Sequence, residues 1–272
     1  MATPDDVKAR TAAAYNAAAD RYDDPANDFW GRFGRATVER LRPAPGSRIL
    51  DVCCGSGASA LPAAAMAGPT GSVLGIDLAE KLLERARAKA AERGLGNTEF
   101  RRGDLLDLRL PIDHFDAVIC VFGIFFVPDM AAAVRALWQV LRPGGKLAVT
   151  TWGPRFFEPA TTAFWNAVRE VRPDLHKGFN PWDRICEPSA LQALLKEGGA
   201  QNVAVVAENG THPIASPEAW WAAVLGSGYR GTLEQMDGAA RERVRLANSS
   251  YILSSGIRAV EANVLYALAA KA

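Results

Sequence analysis

Two periodicities alternate along the middle of the chain. Short apolar runs read as strands: "SRILDV" (47–52), "VLGID" (73–77), "TEFRRGD" (98–104), "FDAVICVFG" (115–123) and "KLAVTTW" (146–152). The fourth is apolar enough to be buried on both faces. Between them the period lengthens to that of a helix. "GASALPAAAMAG" is an alanine-rich helix ended by "GPTGS", and "AEKLLERARAKAAERG" gathers Leu82, Leu83, Ala86 and Ala90 on one face. "MAAAVRALWQVL" is a third helix, stopped by "RPGG". Strands separated by helices predict parallel βαβ units in an α/β, Rossmann-like, doubly wound sheet.

The alternation then breaks. Residues 153–186 carry aromatics and prolines without a clear strand, and 216–256 form a second, helical interruption. "EPSALQALLKEGG" and "NVAVVAE" resume as a helix and a strand, and "AVEANVLYALA" closes the chain as an apolar segment. The pattern predicts one domain over 1–272. Its sheet core is about 45–152, 187–208 and 258–269, under a helical cap from 1–44, 153–186 and 209–257.

Composition narrows the function. With 272 residues and 49% hydrophobic positions the chain can bury a large core. A net charge of +1 gives no basic footprint for nucleic acid. No apolar run approaches the roughly 18 residues of a membrane span, and "MATPDDVKAR" lacks a signal peptide's apolar centre. Four cysteines, two of them adjacent, suit a reducing compartment better than a disulfide framework. The expectation is a cytoplasmic protein, monomer or homodimer, without stable membrane insertion or a nucleic-acid partner. Cys53, Cys54 and Cys120 read as small apolar fillers, so no metal site is expected.

The candidate chemistry begins at "ILDVCCGSGASALPAA". Gly55, Gly57 and Ala60 fit a G-x-G-x-x-G/A turn between strand and helix, and Asp77 lies 20 residues beyond Gly57 (77 − 57), the distance that sets a carboxylate on ribose hydroxyls. Such a turn serves dinucleotides and other adenosine compounds alike. Asp51 weighs between them. A carboxylate four residues before Gly55 would repel a pyrophosphate at the helix N-terminus, yet favour a ligand that offers an ammonium and a sulfonium. S-adenosylmethionine offers both, with a ribose and no phosphate. No Tyr has a Lys four residues on, so the acid/base pair of one group of dehydrogenases is absent.

"ILDVCCGSG", "LGIDLAEKLLERAR", "RRGDLLDL", "FDAVICVFGIFFVPD" and "LRPGGKLAVTTW" occur in the order and at the spacings of class I S-adenosylmethionine-dependent methyltransferases. The chain resembles their bacterial small-molecule branch, including the ubiquinone/menaquinone-biosynthesis type, most strongly over about 45–152. The resemblance implies a seven-stranded, mostly parallel sheet with one antiparallel edge strand. It also implies Asp51 as electrostatic partner of the methionine end, Gly55 and Gly57 for close backbone approach, and Asp77 with Leu78 for the ribose and adenine. Asp104 and Leu105 would meet the adenine's amine edge and face, Phe122 would border the transferring methyl, and Tyr22 would close over the methionine end. Cys53 stands where that family has its first turn glycine, a departure at a cofactor-binding position that must tolerate a side chain.

Methyl transfer from a sulfonium is an in-line displacement that needs alignment and exclusion of water more than a fixed nucleophile. The expected acceptor is a small organic molecule methylated at O, N or C. Trp30, Trp182, Arg184, Tyr229 and Arg230 are candidate acceptor-binding residues, because aromatics with two arginines suit a planar or anionic molecule. His212 is the candidate base. An NAD(P)-dependent oxidoreductase and a protein that holds the cofactor without transferring its methyl remain as alternatives.

Overall fold

A computed structural model describes residues 4–272, with side chains from residue 6 onward. Helices α1 (Pro4–Ala18) and α2 (Phe29–Leu41) precede strand β1 (Arg48–Val52). The alternating region follows as α3 (Ala60–Ala67), β2 (Ser72–Asp77), α4 (Glu80–Glu92), β3 (Thr98–Arg102) and β4 (Phe115–Val121). Helix α5 (Met130–Val140), whose first turn is capped by the Asp129 carboxylate accepting from the Ala132 amide at 2.8 Å, runs directly into β5 (Leu141–Trp152). Beyond it come α6 (Ala160–Val171), α7 (Pro188–Glu197), β6 (Ala204–Glu208) and β7 (Thr211–Pro213). The chain ends with α8 (Pro217–Leu225), α9 (Arg230–Leu233), α10 (Gly238–Ser254), β8 (Ala259–Glu261) and β9 (Val264–Ala270).

The seven-stranded sheet has the order β3-β2-β1-β4-β5-β9-β6. From β3 to β5 neighbours pair in parallel, while β9 pairs antiparallel with both β5 and β6. The antiparallel strand thus lies one place in from this edge, with β6 outside it. Strand order reverses beside β1: the chain runs outward through β2 and β3, then returns to β4. This leaves a crevice over the carboxyl ends of β1 and β4, where open α/β sheets receive ligands.

Alternation along β1 sends Ile49 to one face and Leu50 to the other, and each face has its own apolar layer. The first packs α3 and α4 through Ala60, Ala64, Leu83, Ala86 and Ala90. The second carries α5, α6 and the cap, through Val118, Val134, Phe164 and Trp220 among others.

Three details depart from the sequence pattern. "RPGG" ends α5 but is also the start of β5, where Leu141 pairs with Phe115 before the register slips and Gly144 adopts φ +77°. Within 153–186, helix α6 buries Ala160, Thr161, Phe164, Ala167 and Val168, a helical spacing hidden between Pro159 and Pro173. Residues 259–261, expected in the core sheet, pair instead with 211–213 as a two-stranded ribbon.

Candidate active site

The site is assembled at the crevice by the turn after β1. Within five residues Cys53, Gly55 and Gly57 take φ of +58°, +53° and +85°, and the tight curl lets α3 start at once. Cys53 alone has a side chain there. The opposing chain makes room for it: a Cβ built on Gly123 would fall 2.4 Å from that of Cys53. The position with a missing glycine is therefore matched by a glycine across the crevice.

The acids at the strand ends hold this turn. Asp77, ending β2, accepts the Gly55 amide on Oδ2 at 2.9 Å and the Ala79 amide on Oδ1 at 2.8 Å. Burial raises its pKa, and those amide bonds pull against the rise. Asp51 is fully buried; Ser59 donates to its Oδ2 at 2.7 Å, and Oδ1 has no partner in bonding geometry. Burial, with the nearby charge of Asp77 adding to it, pushes its pKa up to about 7 even against the Ser59 bond. Asp104, after β3, accepts the Leu106 amide on Oδ1 at 2.9 Å and pairs with Lys8 Nζ from α1 at 2.6 Å.

A second set of contacts ties the N-terminal segment to the turn. Asp23 receives Ser56 Oγ at 2.7 Å, Arg85 Nε at 2.6 Å and Lys89 Nζ at 2.8 Å. Although burial opposes it, these partners hold the Asp23 carboxyl below its ordinary range. The result fixes Tyr22 over Gly55, whose absent Cβ would lie 3.2 Å from the Tyr22 hydroxyl. Tyr22 is stacked on Trp30 at 5.1 Å, with planes 3° apart.

Two cavities open here. The first, with about 780 Å³ of empty space, is lined among others by Tyr22, Cys53, Gly55, Asp77, Leu78, Asp104, Leu105 and Phe122. Asp51 and Gly57 stand behind this wall instead of on it. The cation among the described lining residues is Lys8, already paired with Asp104. The second cavity holds about 630 Å³, and eleven of its sixteen lining residues are Phe, Tyr or Trp. Tyr15, Trp30, Phe122 and Phe126 line both cavities and form the wall between them. Phe122, at φ +53°, lies flat on Trp152 with ring centres 4.0 Å apart.

The structure gathers eight of the ten candidate cofactor residues on the first cavity. On the second it places Trp30, Trp182 and Tyr229. Arg184 is exposed and Arg230 is paired with Glu234 at 2.6 Å; neither lines it. His212 lies elsewhere. It is 2% exposed in β7, with Nε2 2.9 Å from the Ala26 carbonyl, Nδ1 3.5 Å from Asp28 and its ring edge-on to Phe29. It is not among the residues lining either cavity, and burial lowers its pKa.

Sequence reasoning missed Lys8, Thr11 and Ala12, which with Tyr15 form one face of α1 along the first cavity. Their i, i+3, i+4, i+7 spacing was the available signal. It also missed Phe126, Trp152, Phe156, Trp165 and Lys177, which no short pattern joins. Among the described residues no three His, Cys, Asp or Glu side chains cluster as metal ligands, the four cysteines are free, and no helix is long and apolar enough to cross a membrane.

Residues 49–145 match the family model of a methyltransferase domain. Nocamycin O-methyltransferase of Saccharothrix syringae is 32% identical over 208 residues, covering 76% of this chain and 68% of that one. Demethylmenaquinone methyltransferase of Listeria monocytogenes is 37% identical over 150 residues, 54% of this chain and 62% of that one. The chain thus spans about two thirds of the length of these relatives. Phosphoethanolamine N-methyltransferase 2 of Haemonchus contortus, solved with S-adenosylhomocysteine, shares the fold with a TM-score of 0.58 at 18% identity, over 100% of this chain and 60% of that one.

Proposed function

The chain belongs to the class I S-adenosylmethionine-dependent methyltransferases, and from that premise we propose that its first cavity holds the methyl donor and its second a small organic acceptor. The observation that carries this reading is the shared wall: four rings border both cavities, so two ligands would meet across a gap lined by Tyr15, Trp30, Phe122 and Phe126.

The first cavity fits S-adenosylmethionine on the chemistry of its groups. Asp77, fixed by two amides, would accept ribose hydroxyls; Asp104 and Leu105 would take the adenine edge and face, and Leu78 its other side. Asp51 would act through the turn, its buried carboxylate favouring positive charge beyond the wall and opposing a pyrophosphate. When bound, the cofactor supplies a methyl group on a positively charged sulfur. The faces of Tyr15, Trp30 and Phe122 attract a cation, and the same rings keep water from the line of transfer. Alignment in this gap is the main contribution asked of the protein.

No His, Asp, Glu or Cys is among the described residues lining the second cavity. Tyr15 and Tyr229 are there, but burial, before any neighbouring charge, raises both phenols well above their ordinary value. On this reading the acceptor atom arrives already nucleophilic. Calorimetry with S-adenosylhomocysteine and with NADH, followed by transfer of a labelled methyl group, tests the proposal. The expected result is binding of the first and not the second. In the same assay Asp77→Ala should weaken S-adenosylhomocysteine by about 1–3 kcal/mol, the cost of leaving buried polar groups unpaired. Unchanged affinity would put the ribose elsewhere.

A further inference from the structure

The second cavity is unusual in what its rings leave out. Besides the aromatics, its polar lining consists of Lys177, Asn180, Ser227 and the Tyr229 hydroxyl. Three of these have internal partners: Ser227 donates to the Val224 carbonyl at 3.2 Å, the Tyr229 hydroxyl meets Thr161 Oγ1 at 2.7 Å, and the Asn180 amide donates to Asp183 Oδ1 at 3.3 Å. Lys177 is the cation of the described lining, and no carboxylate lines the cavity to offset it. Its ammonium stands 5.7 Å from the centre of the Trp165 ring, which lines the same cavity. Neither Lys177 nor Trp165 borders the first cavity, so this charge sits away from the shared wall.

Resting on the reading of this cavity as the acceptor site, we infer that the acceptor is a flat, conjugated acid whose anionic group pairs with Lys177 at the end remote from the methylated atom. The physical grounds are complementary. The lining is mostly aromatic, including the edge-on pair Phe156 and Trp182 with centres 4.7 Å apart, and such rings favour conjugated ligands that can pack on them. An uncompensated ammonium beside them rewards one negative charge, and a reduced dielectric strengthens that pairing. Although Lys177 is exposed as a residue, enough water is excluded around its ammonium to lower its pKa. An anion there would reverse the loss. The arrangement also separates the charges within the acceptor: one end is held by Lys177, and the other meets the donor at a wall free of cationic side chains.

The test is calorimetry on the full chain saturated with S-adenosylhomocysteine, using 2-naphthoate and its neutral counterpart 2-naphthalenemethanol as probes. Wild type should bind the carboxylate roughly two- to fivefold tighter than the alcohol, the scale of a partly shielded ion pair. Lys177→Gln should erase that preference and Lys177→Arg keep it, with the same S-adenosylhomocysteine affinity in all three proteins. Equal affinity of the two probes for wild type, an equal loss of both in Lys177→Gln, or binding of neither probe would overturn the inference. Failure to bind S-adenosylhomocysteine would instead break the reading of the first cavity on which it rests.

Discussion

The first and second cavities share four bordering rings, yet they are built by opposite means. Around the first, positions are set by backbone: three left-handed residues in one turn, and carboxylates at strand ends that bind amides. Around the second, positions are set mainly by packing of aromatic side chains from α1, α2, β5, α6 and the loops near them. A backbone-built site has little freedom to change, whereas a ring-built one can be reshaped one side chain at a time.

The contrast would be broken most severely at Trp152, where the two constructions touch. It ends β5 at 2% exposure, lies flat on Phe122 and meets Phe29, Phe33, Phe156 and Phe157. Trp152→Ala should cost about 3–5 kcal/mol in urea unfolding and weaken both ligands. Loss of probe binding with S-adenosylhomocysteine untouched would show the cavities to be independent.

Asp51 sharpens the donor side. Its folded pKa, about 7, lies above its unfolded value, so the acid stabilises the free protein below about pH 4 and that contribution is lost as pH rises toward 7. Above that range Asp51→Asn should be more stable than wild type by on the order of 3 kcal/mol, while binding S-adenosylmethionine less well. Urea midpoints for both proteins across pH 4–8 measure the difference; parallel curves would remove Asp51 from the electrostatics of the site.

The smallest effect is expected at His212. Replacing it with Phe removes the bond to the Ala26 carbonyl and should cost about 1 kcal/mol, with kcat and its pH profile unchanged. A fall in kcat of roughly a hundredfold or more, the scale of a lost general base, would return His212 to the chemistry.

How far the sequence could be read follows the same division. Leu82, Leu83, Ala86 and Ala90 announced the buried face of α4, and the glycine turn with Asp77 pointed to the first cavity, because each rests on spacing within one or two elements. Tyr229 and Trp182 were singled out by residue type and line the second cavity; Arg184, Arg230 and His212 were singled out the same way and do not line it. Residue type without position could not separate them.

The chain by itself determined the strand–helix alternation, the turn and its acids, since local periodicity and backbone conformation are written in consecutive residues. Only the tertiary structure decided which rings face one another, that Lys177 stands over Trp165, and that Asp51 lies behind the wall. Those relations depend on how side chains from different segments pack once the chain has folded, and such packing leaves no spacing rule in the sequence.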